Sequence, residues 1–427
     1  MKLRFSGLLG IALICAVPAM SQTTFEEMSK DLNKTGGVYY AYPTEKADNT
    51  PAPKGFKPFY VSHYGRHGSR YLLGDNDYKW VHDLLTKAND ANALTPLGKN
   101  VLARLDTVME EAYKRGGDLS PLGARQHQGI ARRMAENYPE VFKGKGKTVS
   151  ARSTLVPRCI ISMGNFCQSL KENYPELDIT LESSNRYMPY LCYSTPESDA
   201  FKSSREGWWQ EMKRKFEKKQ VKADRIVPTI FSNAEFVERY VNPENFMWGL
   251  YWIASDAQNT ENKISFYDLF TPQELFDIWQ CFNADFYAGH SNFKPAERKH
   301  LNNAKPLLRN FIEGAETAIA GKGDVATLRF GHDGNVVPFT ALLGFENCYG
   351  EAERPEDVYK VWNDWFVSPM ASNIQMILFK NDKTPDDILV KFLHNEKETK
   401  IPVATDIWPY YHWADVKAYY EKVISNK

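Results

Sequence analysis

The sequence predicts an α/β fold in which a core sheet is flanked by helices and carries an inserted, mainly helical cap. Short β-rich runs alternate with amphipathic helix patterns over residues 22–184 and again over residues 301–427. Between them, residues 185–300 are rich in aromatic residues and helix formers, with few alternating strand patterns. We therefore expect 22–184 and 301–427 to form one core and 185–300 to form the cap.

Composition bounds the class of protein. The chain has 427 residues, of which 43% are hydrophobic and 25% charged, as in a globular protein with a substantial core. Its 53 basic residues balance 53 acidic ones, so no global field attracts nucleic acid or an anionic membrane. Any affinity for anions must therefore come from a local cluster of arginines.

The first residues have the pattern of an export signal. Met1-Lys2-Leu3-Arg4 is positively charged, and the apolar run Leu8–Val17 is too short to span a bilayer. Ala19-Met20-Ser21 fits a small-residue cleavage site. The sequence thus predicts a signal peptide over residues 1–21 and a periplasmic or extracellular protein without a membrane partner after its removal. A lipid anchor at Cys15 is the minor alternative, because Ile14 before it is bulky.

The sequence does not predict a metal cofactor or any other cofactor. His63 and His67 have the spacing of a helical metal pair, but the glycines around them and the preceding strand argue against a helix. No Cys-x-x-Cys pair occurs, and the mature cysteines are odd in number, so at least one thiol stays free or pairs outside the chain. These cysteines are Cys159, Cys167, Cys192, Cys281 and Cys348.

The first core strand is predicted at Phe56–His63, and the loop that follows carries the first candidate chemistry. Arg66, His67 and Arg70 lie within a few positions of two glycines. Arginine offers a rigid fork of donors that suits phosphate oxygens, and glycine lets the backbone approach the ligand. A neutral imidazole can attack phosphorus, and nearby positive charge keeps it neutral. Taken alone, Arg-His-Gly is a weak motif that an exposed basic turn would also explain.

Further along the chain, two Ser/Thr-Pro pairs and a strand–helix–strand run extend the core pattern. Pro96 and Pro121 each follow Ser or Thr and predict helix starts. A strand is predicted at Lys147–Ala151, a helix at Ser153–Tyr174 and a strand at Leu177–Ser183. Arg152, at the junction of strand and helix, could complete a phosphate clamp, although a lone arginine is usually a surface residue.

The predicted cap contains a basic run between residues 213 and 222. This run could attract a polyanion such as an inositol polyphosphate. Because Glu211 and Glu217 interleave with it, a solvated helix face is the favoured interpretation. The cap tryptophans, such as Trp248 and Trp252, are expected in its core, with one or two at the mouth of a substrate site.

A second candidate constellation follows the strand predicted at Ala326–Gly331. His332 and Asp333 stand at its carboxyl end, before the apolar helix Val336–Leu343, and ligand sites of open α/β sheets lie at such ends. The histidine could hold a phosphate oxygen while the aspartic acid protonates a leaving alkoxide. The alternative is that Asp333 caps the helix. Strands at 374–379 and 388–393 and a helix at 413–424 complete the predicted core.

Together these residues resemble the histidine phosphatase superfamily in its acid phosphatase and phytase branch. The resemblance rests on Arg66-His67-Gly68-Ser69-Arg70, the segment Leu119–His127, an arginine at a strand-to-helix junction and His332-Asp333, in that order. The tail segments 368–373 and 392–397 are similar to those of multiple inositol polyphosphate phosphatases. Three separated motifs make the resemblance far more specific than any one of them.

The resemblance implies a phosphoglycerate-mutase-like core with a helical cap and no metal cofactor. It implies His67 as nucleophile, Asp333 as proton donor, and a phosphate clamp formed by Arg66, Arg70, Arg152 and His332. The expected substrate is a small phosphomonoester, and phytate and other inositol polyphosphates are candidates. Two positions depart from the pattern. Leu72 replaces the proline of Arg-His-Gly-x-Arg-x-Pro, and the inositol phosphatases usually have His-Ala-Glu where His332-Asp333 stands.

Two other functions remain open from the sequence. One is a secreted binding protein that keeps the phosphate pocket without catalysis. The pairing of His67 with Asp333 argues against it, because binding alone needs no acid. The other is a mutase, which an export signal makes less attractive because mutases act on cytoplasmic metabolites.

Overall fold

The computed structural model describes residues 20–44, 49–204 and 207–426. Residues 1–19 of the predicted signal peptide lie outside the described residues. Within the described ranges, no helix is both long enough and apolar enough to cross a membrane.

A mixed sheet forms the centre of the molecule. Its strands pair in the order β3-β2-β4-β1-β5-β6-β7, and β8 pairs with β6. The four strands β3, β2, β4 and β1 are parallel, whereas β5, β6, β7 and β8 add antiparallel pairs. The central strand β4 is buried along its whole length, as expected when helices cover both faces. The strands are β1 Lys57–Arg66, β2 Thr148–Ser153, β3 Asp178–Ser183, β4 Ala326–Gly331, β5 Asn373–Asn381, β6 Thr384–His394, β7 Lys397–Glu398 and β8 Tyr410–His412.

The helices of the amino-terminal half begin where the sequence provides caps. Thr95 and Ser120 each accept a hydrogen bond from the third helical N–H, and a proline follows each of them. These helices are α1 Met20–Lys30, α2 Asp75–Asp90, α3 Pro96–Ala112, α4 Pro121–Asn137, α5 Pro139–Phe142, α6 Pro157–Asn173, α7 Met188–Leu191, α8 Pro196–Ser203 and α9 Trp208–Gln220.

The remaining helices include the longest helix of the region between β3 and β4, Pro272–His290. Thr271 and Glu274 form a reciprocal capping box at its start. The helices are α10 Ile226–Ile230, α11 Ala234–Tyr240, α12 Pro243–Ala257, α13 Pro272–His290, α14 Lys305–Ile319, α15 Asp333–Leu343, α16 Pro355–Val358, α17 Asp364–Val367 and α18 Trp413–Ser425. Short 3₁₀ helices lie at Leu32–Tyr39, Asn185–Tyr187, Tyr267–Leu269, Lys294–Ala296 and Lys299–Ala304.

The helices α2 and α3, which the sequence assigned to the core, pack against helices of the region predicted as the cap. Helix α2 contacts α12, and α3 contacts α10. The contact is close at Gly249, where a Cβ atom would lie 2.2 Å from Trp80. The cap-side hydrophobic core therefore includes a helical pair from the amino-terminal part of the chain.

The predicted fold class, an α/β core sheet flanked by helices, is confirmed by the sheet and its helices. The main local differences lie at element ends. Strand β1 continues to Arg66, beyond the predicted end, and β2 continues to Ser153. Helix α6 consequently begins at Pro157, four residues after the predicted start at Ser153. The five described cysteines are all free thiols.

Candidate active site

Two adjacent parallel strands deliver the two predicted constellations to the same edge of the sheet. Strands β1 and β4 pair in a register that places Arg66 opposite Gly331. The next residue on β1, His67, donates its backbone N–H to the Gly331 carbonyl at 3.0 Å. His67 and the pair His332-Asp333 therefore meet at the carboxyl ends of the strands, where open α/β sheets bind ligands.

The ring of His67 is oriented and neutral. Its Nδ1 lies 2.9 Å from the carbonyl oxygen of Gly68. A carbonyl can only accept, so Nδ1 must carry the proton and Nε2 keeps a free lone pair. Burial, together with the charges of Arg66 and Arg70, holds the pKa of His67 well below its ordinary value. These are the properties of a nucleophilic imidazole.

Arg66 is fully buried and fixed by backbone groups. Its Nη1 donates to the carbonyl of Val38 at 2.5 Å and to that of Ser368 at 2.8 Å. Its Nη2 lies 2.8 Å from Oδ2 of Asp333. Burial lowers the pKa of Arg66 to about 10, against the opposing effect of the carboxylate, so the guanidinium stays charged at neutral pH.

Arg70 supplies a second cation beside the histidine. Its Nη1 donates to the carbonyl of Tyr71 at 2.8 Å, and its guanidinium lies 4.8 Å above the ring of Tyr39. Arg70 and His67 both line the same cleft.

The structure does not bring Arg152 to this cleft. The side chain of Arg152 is 3.1 Å from the Tyr190 hydroxyl and 3.4 Å from a Glu182 carboxylate oxygen, and its guanidinium lies over the ring of Tyr187. The cleft is instead lined by Arg158, in the first turn of α6. Arg152 is still inside β2, which ends at Ser153, whereas the chain enters the next helix only at Pro157.

Arg158 is thus a site residue that the sequence reasoning missed. The charge of Arg158 contributes to lowering the pKa of His67, although burial and the charges of Arg66 and Arg70 contribute more. The signal for it was available: Pro157 occupies a preferred first helical position and places Arg158 in the first turn.

His332 and Asp333 lie beside these cations at the carboxyl end of β4. The ring centroids of His332 and His67 are 5.7 Å apart, and Nε2 of His332 is 3.1 Å from the Thr154 hydroxyl. Burial lowers the pKa of His332 to about 4. Burial raises the pKa of Asp333, but the neighbouring basic groups, of which Arg66 contributes most, together outweigh burial and hold that pKa well below its usual range. Asp333 is therefore ionised in the ligand-free protein.

The loop that carries His67 is held by the start of α4, the segment with the Leu119–His127 pattern. Oε1 of Gln126 accepts from the backbone N–H of Ser69 at 2.8 Å. The loop crosses the start of α4 closely because both elements have a glycine at the crossing. A Cβ atom on Gly123 would lie 2.2 Å from the carbonyl oxygen of Ser69. A Cβ atom on Gly68 would lie 2.4 Å from the carbonyl oxygen of Gly123. The segment Leu119–His127 therefore positions the loop that carries His67 and supplies no reacting group.

The cleft above these residues has a volume of about 1020 Å³ and lies between the core and the helices α8, α12 and α13. Its cap side adds residues that the sequence reasoning did not single out, among them Lys202, Asp199 and Cys192. Among the described residues, no group of three or more His, Cys, Asp or Glu side chains is arranged to hold a metal ion.

The chain is similar to solved structures of phosphatases. It superposes on the Bifidobacterium longum multiple inositol polyphosphate phosphatase in complex with inositol hexasulfate with a TM-score of 0.71, at 19% identity over 90% of this chain and 97% of the other. The phytase from D. castellii gives a TM-score of 0.69 at 13% identity, over 93% and 86% of the two chains. At these identities the likeness concerns the fold alone.

Sequence comparison gives a shorter but closer match. Over 103 residues the chain is 29% identical to multiple inositol polyphosphate phosphatase 1 of Dictyostelium discoideum. That match spans 23% of this chain and 16% of the length of the relative. The family model of the histidine phosphatase superfamily (branch 2) matches residues 65–395, which is well over half of the chain and includes the charged residues and histidines of the site described above. The predicted resemblance is confirmed: this chain belongs to branch 2 of the histidine phosphatase superfamily, the histidine acid phosphatases.

Proposed function

We propose that this protein is an exported phosphomonoesterase that works through a covalent phosphohistidine at His67, with Asp333 as proton donor. The observation that carries the proposal is the state of His67, which is neutral, aimed by Gly68 and surrounded by the cations Arg66, Arg70 and Arg158. A phosphate placed among these arginines would present its phosphorus to Nε2.

In the first step, Nε2 of His67 attacks phosphorus and the bond from phosphorus to the ester oxygen breaks. Asp333 gives its proton to that oxygen, so the alcohol leaves neutral. Arg70 and Arg158 hold the non-reacting oxygens together with His332. Their fixed charges stabilise the transition state, where most of the rate enhancement of phosphoryl transfer arises.

In the second step, the Asp333 carboxylate takes a proton from water as the water oxygen attacks the phosphohistidine. The bond from Nε2 to phosphorus breaks, inorganic phosphate leaves, and His67 returns to its neutral form. Asp333 passes the proton that it took from water to the departing phosphate, so its carboxylate is ionised again in the free protein.

The low pKa of Asp333 sets the pH dependence of this cycle. In the free protein Arg66 keeps the carboxylate ionised, so the proton for the leaving group has to enter with the substrate. A phosphate monoester loses its second proton near a pKa of about 6. The value of kcat/KM should therefore fall as the pH rises through this range.

Inositol polyphosphates are the first substrates to test. Two similar structures belong to enzymes named as an inositol polyphosphate phosphatase and a phytase, and the tail motifs of this chain resemble the former group. The pattern of residues 1–21 supports export. Two measurements would test it: the amino-terminal residue of the mature protein, and the culture fraction in which the protein is found.

The first experiment is phosphate release from phytate and from p-nitrophenyl phosphate with a chelator present, in wild-type protein and in His67→Ala. We expect chelator-resistant release that is lost by a factor of more than about 10³ in the variant, because the nucleophile is gone. The matched control is His82→Ala, at a histidine of α2 that pairs with Asp106 outside the cleft. Release that survives in His67→Ala would exclude the phosphohistidine route.

The proton donor is tested separately with Asp333→Asn. An amide cannot give up a proton, so hydrolysis of alkyl phosphates should fall about 10²- to 10⁴-fold. Hydrolysis of p-nitrophenyl phosphate should fall much less, because its leaving group departs readily as an anion. Equal losses on both substrates would contradict the assignment of the acid.

A further inference from the structure

The wall of the cleft opposite the core is built from aromatic rings. Seven Tyr, Trp and Phe side chains border the cavity, and six of them, all except Tyr193, form this wall; five of these six are only partly buried by the protein. The six are Tyr39, Trp80, Trp248, Trp252, Phe282 and Phe286. Partly exposed rings of this size leave a large apolar surface facing the substrate space.

The rings hold one another in place. Trp248 and Trp252 stack at 5.6 Å between centroids with an interplanar angle of 23°, and Phe282 packs edge-on against Trp252 at 4.8 Å. Phe286 continues the row at 5.7 Å from Phe282. Because each ring is buttressed by its neighbour, the wall is preorganised and loses little conformational entropy when a ligand covers it.

The wall begins at the phosphate clamp. The ring of Tyr39 lies under the guanidinium of Arg70 and 5.8 Å from the ring of Trp252. A phosphate held by Arg70 next to His67 would therefore place the alcohol part of its ester along the aromatic row.

The cleft offers few charges for a second phosphate. Among the residues that the structure describes, the charged side chains of the cleft other than the clamp and Asp333 are Lys202, Asp77 and Asp199. Each additional phosphate brings a charge of about −1.5 to −2 at pH 7, which one lysine facing two carboxylates cannot balance. Burying such a charge without a partner is strongly unfavourable.

The basic run of the cap does not supply the missing cations. It lies on α9 and its side chains are absent from the cleft lining. Lys213 pairs with Asp285 at 2.8 Å, and Lys215 pairs with Glu211 at 2.6 Å. These pairs agree with the solvated helix face that the sequence favoured.

We infer that the preferred substrates of this site are phosphomonoesters with one phosphate and a planar aromatic ring in the alcohol part, rather than inositol polyphosphates. The inference rests on the proposed phosphatase function and narrows its substrate class. The ring would stack on the row formed by Trp248, Trp252 and Phe282 while the phosphate occupies the clamp.

The test compares AMP with ribose 5-phosphate. Both release phosphate from the same primary alcohol, so the leaving group is matched and only the aromatic base differs. Stacking of a base on an aromatic side chain changes affinity by about ten-fold or more, and we expect kcat/KM for AMP to exceed that for ribose 5-phosphate by about this factor. Inositol hexakisphosphate should be hydrolysed less efficiently than AMP.

The variant Trp252→Leu should lower kcat/KM for AMP about ten-fold more than kcat/KM for ribose 5-phosphate, because the lost ring contacts the base and not the phosphate. An unchanged circular dichroism spectrum would show that the variant has folded. The control is Trp208→Leu, at an exposed tryptophan of α9 outside the cleft, and it should change neither value. O-phosphotyrosine is assayed beside AMP, and the substrate that loses more activity in Trp252→Leu is the one whose ring reaches the wall.

The outcomes separate the two proposals. If release depends on His67 but AMP and ribose 5-phosphate are equivalent, or if inositol hexakisphosphate is the best substrate, the aromatic preference is wrong and the phosphatase function stands. If no ester releases phosphate, or if release survives His67→Ala, the proposed function itself fails and the preference fails with it.

Discussion

At the scale of single residues, the ion pair between Arg66 and Asp333 links the two motifs of the site. Arg66 cannot swing toward a ligand, because two backbone carbonyls fix its Nη1. Its contribution is therefore to hold Asp333 in place and to keep it ionised until phosphate arrives. Arg70 and Arg158 are left as the arginines of the cleft lining that are able to take the phosphate oxygens directly.

The roles of Arg158 and Arg152 can be separated by matched substitutions. Arg158→Ala should lower kcat/KM for p-nitrophenyl phosphate about 10²- to 10³-fold, because it removes a charged donor from the transition state. Arg152→Ala is the control, since its guanidinium contacts Tyr190 and Glu182 instead of the cleft. It should change kcat/KM by less than about three-fold. A comparable loss in both variants would restore Arg152 to the phosphate clamp as the sequence predicted it.

Single residues also show what the sequence could predict. His67, His332 and Asp333 were found because they directly follow strands whose β-rich pattern is clear. Arg152 was chosen because the end of β2 was placed two residues early. Because β2 runs to Ser153 and α6 begins at Pro157, the arginine that enters the cleft from this junction is Arg158 in the first turn of the helix.

At the scale of elements, the crossing of the His67 loop with the start of α4 fixes the catalytic geometry. The loop and the helix approach so closely at Gly68 and Gly123 that no side chain fits between them. The hydrogen bond from Ser69 to Gln126 then sets the orientation of the loop. The pattern of residues 119–127 is therefore a structural consequence of packing one element against the other.

Two helical glycines test this crossing. Gly123→Ala should destabilise the protein by about 1–3 kcal/mol and lower activity strongly, because its Cβ would overlap the Ser69 carbonyl oxygen at 2.2 Å. Gly164→Ala in α6 is the matched control, because a Cβ there meets nothing within 4 Å. Helix propensity alone makes alanine more stable than glycine by about 1 kcal/mol. Chemical denaturation of both variants and their phosphatase activity would check this, and an active, stable Gly123→Ala would contradict the role given to the crossing.

The arrangement of α2 and α3 illustrates the limit of element-level prediction. Their helical character follows from capping residues and amphipathic patterns, which are local. Their partners do not, because the contact of α2 with α12 joins residues far apart in the sequence. The sequence predicted α3 from its Thr95-Pro96 start but did not single out α2, and it could not show that α2 lines the cleft through Asp77 and Trp80.

At the scale of the whole molecule, buried ionisable groups are spread well beyond the active site. Burial lowers the pKa of seven of the nine histidines. The pKa falls to about 4 at His332, His300 and His394. It falls to about 3 at His127 and His290, and it lies well below the ordinary value at His63 and His67. Burial acts in the opposite direction on four carboxyls. The shift is large at two of them, Asp256 and Asp364, whose pKa it raises to about 7, and smaller at Glu217 and Asp277. The two sets have opposite effects on stability in acid.

These shifts predict that the protein loses stability as the pH falls from 7 to 5. Between about pH 6.5 and 4 the unfolded histidines bind protons that the native ones do not, so acid favours unfolding. Asp256 and Asp364 bind protons in the native state between about pH 7 and 4, which favours folding in acid, but two carboxyls oppose seven histidines. We expect the midpoint of thermal unfolding, followed by circular dichroism, to fall by more than about 5 °C between pH 7 and pH 5.

One buried histidine outside the reacting groups tests the origin of this effect. His127 packs against Phe166 and Phe330 and does not line the cleft. In His127→Gln the midpoint should depend less steeply on pH, because one proton fewer is taken up on unfolding. A midpoint that rises from pH 7 to pH 5 in the wild type would mean that the two carboxyls outweigh the histidines. Over the same acidification kcat/KM is expected to increase, because more of the substrate carries a proton. Acid therefore raises activity and lowers stability, and the working pH of the enzyme is set by the balance of these two effects.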